Sequence, residues 1–330
     1  MLTFFSSGAG KTQFLLTLLL ASQLPAPRGL SKPAVYISTE AALSTNRLNQ
    51  LLSVHPLLAK LAPADKPSLS RILSIKTPDL ESQDHILRYQ LPVVIKKHGV
   101  GLVIIDSVAA NYRAEFEKQG SNNGPASMAK RGAQLVKLGA FLRSLARTEG
   151  ITIVVANQVA DRFTRSHTSY SSNVASRTTS FNSQATDSKQ PQQAQSQENI
   201  SNTPIPPPEL QESAFFSEDP LSLDHQQRWF TGWGDDRYAP SQTLKTPALG
   251  LVWTNQLACR IALIKEPVFS GSSFYSSVNG KDQVDGDDNH ITKWRRWFKV
   301  VFAPWAPPSE GQGIEFEVHK GGIKHVVLED

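Results

Sequence analysis

Residues 6–20, SSGAGKTQFLLTLLL, decide how the rest of the chain is read. Gly10, Lys11 and Thr12 complete the end of the phosphate-loop pattern G-x-x-x-x-G-K-[S/T]. In that pattern glycines let successive backbone N–H groups face an anion, the lysine reaches the outer phosphates, and the hydroxyl holds a divalent cation at a helix N-terminus. Ser7, Gly8, Ala9, Gly10, Lys11, Thr12 and Gln13 are therefore the candidate phosphate-binding residues. The pattern's first glycine falls on Phe5, where glycine would normally permit the tight turn, and only MLTFF precedes the stretch. These five residues offer one short strand to support a loop that needs rigid positioning, so the natural protein is expected to carry more chain upstream.

Outward from the loop the pattern alternates. KTQFLLTLLLASQ (11–23) lacks turn formers and stops before PAPRG, which reads as a buried helix. PAVYIST (33–39), GVGLVIIDS (99–107) and ITIVVANQ (151–158) read as strands, the second apolar enough to be covered on both faces. Residues 129–150 place Leu135, Leu138, Leu142 and Leu145 on one stripe, an amphipathic helix closed by Gly150. Strand, helix and strand in this rhythm predict an α/β fold with a mostly parallel central sheet.

Residues 164 to about 222 differ. They are rich in Ser, Thr, Gln, Asn and Pro with almost no aliphatic core, which predicts a disordered insertion, taken to span 164–245. Beyond it, CRIALIK (259–265), RRWFKVVFAP (295–304) and GIEFEVHKGGIKHVVLE (313–329) read as further strands, the last a hairpin turning at Gly321–Gly322. The organisation expected is a core of 1–163, the insertion at 164–245, and core strands in 246–330. With 330 residues, a net charge of +5 and a single cysteine, Cys259, the chain can bury a large core and has no internal disulfide or cysteine-cluster metal site. One cysteine favours a reducing compartment, and the apolar run Phe14–Ala21 is too short to span a bilayer, so no membrane partner is expected.

Three strand ends carry the remaining chemistry. Asp106, closing an apolar strand, can bind magnesium beside the phosphate loop, whereas an aspartate alone would be an ordinary cap. Glu40, at the end of VYISTE, can orient or deprotonate a water, and serves equally as a solvated surface glutamate. Asn157 and Gln158 can sense a terminal phosphate through their amides or simply mark a turn.

Together SSGAGKTQ, VYISTEAALSTNRL, LVIIDSVAANYRAEFE and ITIVVANQVADRF resemble the RecA-like recombinases of eukaryotic homologous recombination. IIDSVAANYRAEF and ANQVADRF are most similar to the recombinase paralogues of the fungal Rad-fifty-seven type, with an animal paralogue as near neighbour. The resemblance covers residues 6–163 and about 245–325.

It implies a RecA-like ATPase core binding ATP and Mg2+, with Thr12 and Asp106 at the metal, Glu40 and Gln158 as the catalytic pair, and Arg47 of STNRL against the adenine. It also implies two DNA-facing loops, about 113–131 and 161–246, the second holding the insertion. Arg113, Lys130, Arg131, Arg162 and Arg165 are the candidate phosphate-neutralising side chains there, although charged loop residues are usually just solvated. VVFAPW carries Phe302 and Ala303 where filament-forming members place an acidic residue before the proline, which puts hydrolysis shared between subunits in doubt. The function implied is a nuclear recombination mediator that acts with a paralogue partner to help the main recombinase assemble on single-stranded DNA. The alternative is a DNA-dependent ATPase that itself performs strand exchange. A small-molecule kinase on the same loop would need a lid with clustered arginines, and none is identifiable.

Overall fold

The computed structural model describes residues 2–4, 8–118, 125–161, 245–247, 249–269, 291–311 and 313–327, all within one compact unit. The expected insertion at 164–245 lies outside the described residues except for Lys245.

Five parallel strands form the centre: β1 (Leu2–Phe4), β2 (Ala34–Ser38), β3 (Ile72–Lys76), β4 (Leu102–Asp106) and β5 (Thr152–Ala156), in the order β1-β5-β4-β2-β3. The short lead-in does form a strand, and its backbone pairs Leu2 with Val154 and Phe4 with Ala156. One detail departs from the sequence reading: β5 lies between β1 and β4, so the Asp106 strand is not the immediate neighbour of the strand before the loop.

Alternate residues of each strand feed two cores, because strand side chains point to opposite faces. Val35, Ile37, Val103, Ile105, Ile153 and Val155 go to one. Ala34, Tyr36, Leu102, Ile104, Val154 and Ala156 go to the other. The second core is closed by α1 (Lys11–Ala21) through Leu15, Leu16, Leu19 and Leu20, and by α2 (Thr45–Val54) through Leu48 and Leu51. The first is closed by α3 (Leu80–His85), α4 (Leu91–His98), α5 (Val108–Lys118) and α6 (Pro125–Thr148). Pro92, in the first turn of α4, withholds an N–H, and α3 passes into α4 through a π turn at Ile86–Gln90. Leu135, Leu138, Leu142 and Leu145 are all buried, as the stripe on α6 predicts. Connections running toward β3 cross on the second core's face and those running back cross on the first, as one crossover handedness requires.

The expected 113–131 loop is mostly helical: α5 and α6 occupy 108–118 and 125–148, and 119–124 lie outside the described residues. After β5, β6 (Val159–Asp161) pairs antiparallel with β7 (Lys245–Pro247), Asp161 opposite Lys245. Asp161 and Lys245 therefore stand side by side. Downstream, α7 (Gly250–Thr254) buries Trp253 completely in the first core. It seats against α6 where Gly139 has no side chain: a Cβ there would stand 2.6 Å from Cβ of Gln256. Arg143 Nη1 donates to the backbone O of Gln256 at 2.8 Å and to its Oε1 at 2.7 Å.

The C-terminal strands form an antiparallel sheet, β8 (Arg260–Phe269), β9 (Ile291–Phe302), β10 (Ile314–His319) and β11 (Gly322–His325), in the order β11-β10-β9-β8. The closing hairpin pairs His319 with Gly322, so it turns at Lys320–Gly321, one residue before the expected position. Gly322, at φ 109°, opens the returning strand in a conformation other residues resist.

Candidate nucleotide-binding site

The site lies at the carboxyl ends of β2, β4 and β5, where open parallel sheets hold their ligands. α1 starts there without a side-chain cap, its N-cap Gly10 at φ 100°, so first-turn N–H groups face the site. Gly8 also has positive φ, and Ala9 is fully buried. Phe5 and Ser7 lie outside the described residues. The C-terminal sheet backs the loop: a Cβ on Gly10 would stand 3.4 Å from Cε2 of Phe316 and 3.5 Å from Cγ2 of Val318.

Asp106 is the half-buried carboxylate of the site. Its Oδ2 accepts 2.7 Å from the Tyr36 hydroxyl and, at a longer 3.4 Å, from Oγ1 of Thr12. Burial pushes the Asp106 carboxyl above its ordinary value, against the pull of Tyr36, Lys11 and Thr12. Burial first, and then Asp106, push the Tyr36 hydroxyl up. Lys11 is pulled down to about 8, chiefly by desolvation, which Asp106 and Glu40 oppose and Arg113 reinforces. The backbone is tied at the same level, with Thr39 Oγ1 donating to the backbone O of Ser107 at 2.8 Å and accepting from its N–H at 3.0 Å. The Asp106–Ser107 peptide is cis.

Glu40, Gln158 and Arg113 form a second, more open group. Gln158 Nε2 donates to Glu40 Oε1 at 2.8 Å, and Arg113 donates from Nη2 to Oε1 of Gln158. The same nitrogen lies 3.8 Å from Glu40 Oε1. Asn157 is fully buried and accepts from the Gln158 N–H at 2.9 Å. Glu40 and Gln158, at the ends of different strands, thus meet across 118 positions.

A triphosphate nucleotide with a divalent cation fits these residues. Uncapped N–H groups and a partly desolvated lysine suit phosphate, and the Thr12 hydroxyl with the Asp106 carboxylate supplies hard oxygen donors. Orphaned buried polar atoms, the Oγ of Ser38 and of Ser107 and the Nδ2 of Asn157, sit at the same strand ends.

The other candidates are placed differently. Arg47 bonds Gln13 Oε1 through Nε at 2.7 Å, Gln50, and the carbonyls of Lys320 and His319 at 2.8 and 2.6 Å, which fastens α1, α2 and the hairpin together. Arg113 stands on α5 inside the site rather than in a loop, a correction to the expected DNA-facing position. Arg131 lies on α6 with its guanidinium 4.8 Å from the Phe116 ring centre and Nη2 on the Phe116 carbonyl, and Lys130 is exposed beside it. Arg162 and Arg165 lie outside the described residues. Sequence reasoning missed Tyr36 and the placement of Arg113. The signal for Tyr36 was present, a hydroxyl inside an otherwise aliphatic strand, but its acceptor emerges only once Ser38 is paired with Asp106.

The family model described as Rad51 matches residues 3–178. The chain is 37% identical over 311 residues to the DNA repair protein rhp57 of Schizosaccharomyces pombe, covering 91% of this chain and 67% of that protein. It is 27% identical over 360 residues to the DNA repair protein RAD57 of Saccharomyces cerevisiae, covering 97% and 73%. To the DNA repair protein XRCC3 of Bos taurus it is 37% identical over 161 residues, 47% of this chain and 45% of that one. A Gly-Lys-Thr turn opening a helix on a parallel sheet, with carboxylates and an amide gathered at its strand ends, agrees with these matches, and the chain belongs to the Rad51 family.

Proposed function

We propose that the chain is an ATP-binding recombination mediator, acting with a paralogue partner in a heterodimer to promote assembly of the main recombinase on single-stranded DNA during double-strand break repair. Similarity to rhp57 and RAD57, both named DNA repair proteins, supports the recombination role and a nuclear location. Among the described residues no helix is long and apolar enough to cross a membrane.

ATP bound with Mg2+ supplies a terminal phosphate whose presence or loss the protein registers. Gly8 to Thr12 and Gln13 bind its phosphates, Lys11 the outermost ones, Thr12 and Asp106 hold Mg2+, and Arg47 borders the adenine. Tyr36 fixes which way the Asp106 carboxylate points. Glu40 orients water and Gln158 relays the state of the terminal phosphate to β6, where the 164–245 insertion departs from the core. Lys130, Arg131, Arg162 and Arg165 neutralise DNA phosphates.

The observation that carries the mediator reading is the state of Glu40: its carboxylate is engaged by Gln158 and Arg113 within its own chain. A nucleotide acting as a structural switch needs that coupling more than it needs fast hydrolysis. The VVFAPW segment agrees, since Phe302 packs on its own core and lies 5.5 Å from the Arg260 guanidinium. The second reading, a DNA-dependent ATPase performing strand exchange, is favoured by the complete set Lys11, Thr12, Glu40, Asp106 and Gln158.

The test is magnesium-dependent ATP hydrolysis by the purified chain, with and without single-stranded DNA, beside Lys11→Ala and Glu40→Gln. ATP binding without appreciable turnover supports the mediator. DNA-stimulated turnover lost in both variants selects the ATPase.

A further inference from the structure

Arg113 lies against the Glu40–Gln158 pair. Its guanidinium bonds Gln158, lies 3.8 Å from Glu40, and is felt by Lys11. Glu40 therefore stands within electrostatic range of the lysine that reaches the outer phosphates. An uncompensated carboxylate there would repel the terminal phosphate of a triphosphate while leaving a diphosphate almost unaffected, because Coulomb repulsion falls with distance and is screened by solvent.

Resting on the nucleotide reading above, we propose that Arg113 is a positioning and specificity residue that neutralises Glu40 and so makes the site selective for triphosphate over diphosphate. Two features suit it to this. It sits on the first helix after β4, which begins two residues beyond Asp106. Its Nη2 donates to Gln158 and lies 3.8 Å from Glu40 Oε1, so one guanidinium places its positive charge beside both partners.

The test compares equilibrium binding of fluorescent ATP and ADP analogues, with Mg2+, to wild type, Arg113→Gln, Arg113→Lys, Glu40→Gln and the double variant. In Arg113→Gln the ATP analogue is expected to bind about tenfold more weakly with ADP affinity nearly unchanged, the size of a charge repulsion of about 1.4 kcal/mol. Arg113→Lys keeps most of the ATP affinity. Glu40→Gln, which does not depend on the Arg113 variants folding, raises the ATP-to-ADP affinity ratio severalfold. Adding Glu40→Gln to Arg113→Gln restores ATP binding, a rescue that a merely structural arginine would not show. Each of these differences shrinks as salt rises. Equal losses for both nucleotides, absence of rescue, or an unchanged ratio in Glu40→Gln overturns the role of Arg113 while leaving the nucleotide site standing. A wild-type protein that binds neither analogue overturns both.

Discussion

Asp106 and Glu40 follow neighbouring strands, β4 and β2, yet they occupy different media. Asp106 is held by a buried tyrosine and backed by apolar core, and burial works against its charge. Glu40 is about half exposed and is held only by polar side chains that can exchange partners. The first arrangement fixes a carboxylate's direction before any ligand arrives, at a cost in desolvation. The second leaves a carboxylate free to respond. The function proposed here calls for one of each, a fixed carboxylate for a metal and a responsive one for a phosphate, and the difference between them is testable.

The largest effect is expected at the residue both groups share. Lys11→Ala should weaken ATP binding about a hundredfold or more, since charge-assisted contacts to phosphate are lost together; titration calorimetry reads this, and near-normal affinity would show that the loop does not bind phosphate. Next, Asp106→Ala leaves the buried Tyr36 hydroxyl without its acceptor and should destabilise the nucleotide-free protein by about 1–3 kcal/mol in chemical denaturation. Glu40→Ala, at a surface position, should change stability by no more than about 0.5 kcal/mol. Equal costs for the two would break the comparison.

A smaller effect depends on pH. The folded pKa of Lys11 lies below its unfolded value, so its charge opposes folding fully below about pH 8, and the opposition fades as pH rises from there toward 10.5. Lys11→Met should accordingly stabilise the nucleotide-free protein at pH 7 by roughly 1–2 kcal/mol, after allowance for partial exposure, and this advantage should disappear near pH 10. A constant advantage would mean that packing, not charge, sets the cost. Arg47→Ala, which releases the hairpin carbonyls from α2, should cost about 1 kcal/mol. Faster amide exchange confined to β10 and β11 would mark it as a fastener of the hairpin.

Legibility followed burial. β2, β4 and β5 are nearly continuous apolar runs because both their faces are covered, and they read as strands at once. β3 is an edge strand, half-buried and interrupted by Ser74, and α3 runs into α4 through a π turn, so residues 41–98 yielded no elements from pattern alone. The 113–131 segment was read as a loop, yet α5 buries Tyr112 and α6 carries the leucine stripe back toward its start. Glu40, Asp106 and Gln158 were legible as strand-end polar residues, a local property. Arg113 was not, since a charge on a helix surface looks the same in sequence whether it faces solvent or a neighbouring carboxylate.

By itself the sequence determined the α/β class, the glycine-rich turn into the first helix, the chemical types at three strand ends and the family, because each resides in short stretches whose composition or order is informative. Only the tertiary structure decided that β5 separates the loop's strand from the Asp106 strand, that Tyr36 holds Asp106, that Arg47 fastens the C-terminal hairpin, and that Arg113 belongs to the Glu40–Gln158 pair. These depend on strand order, register and helix placement, and a contact between residues 45 to 272 positions apart leaves no mark in either local neighbourhood.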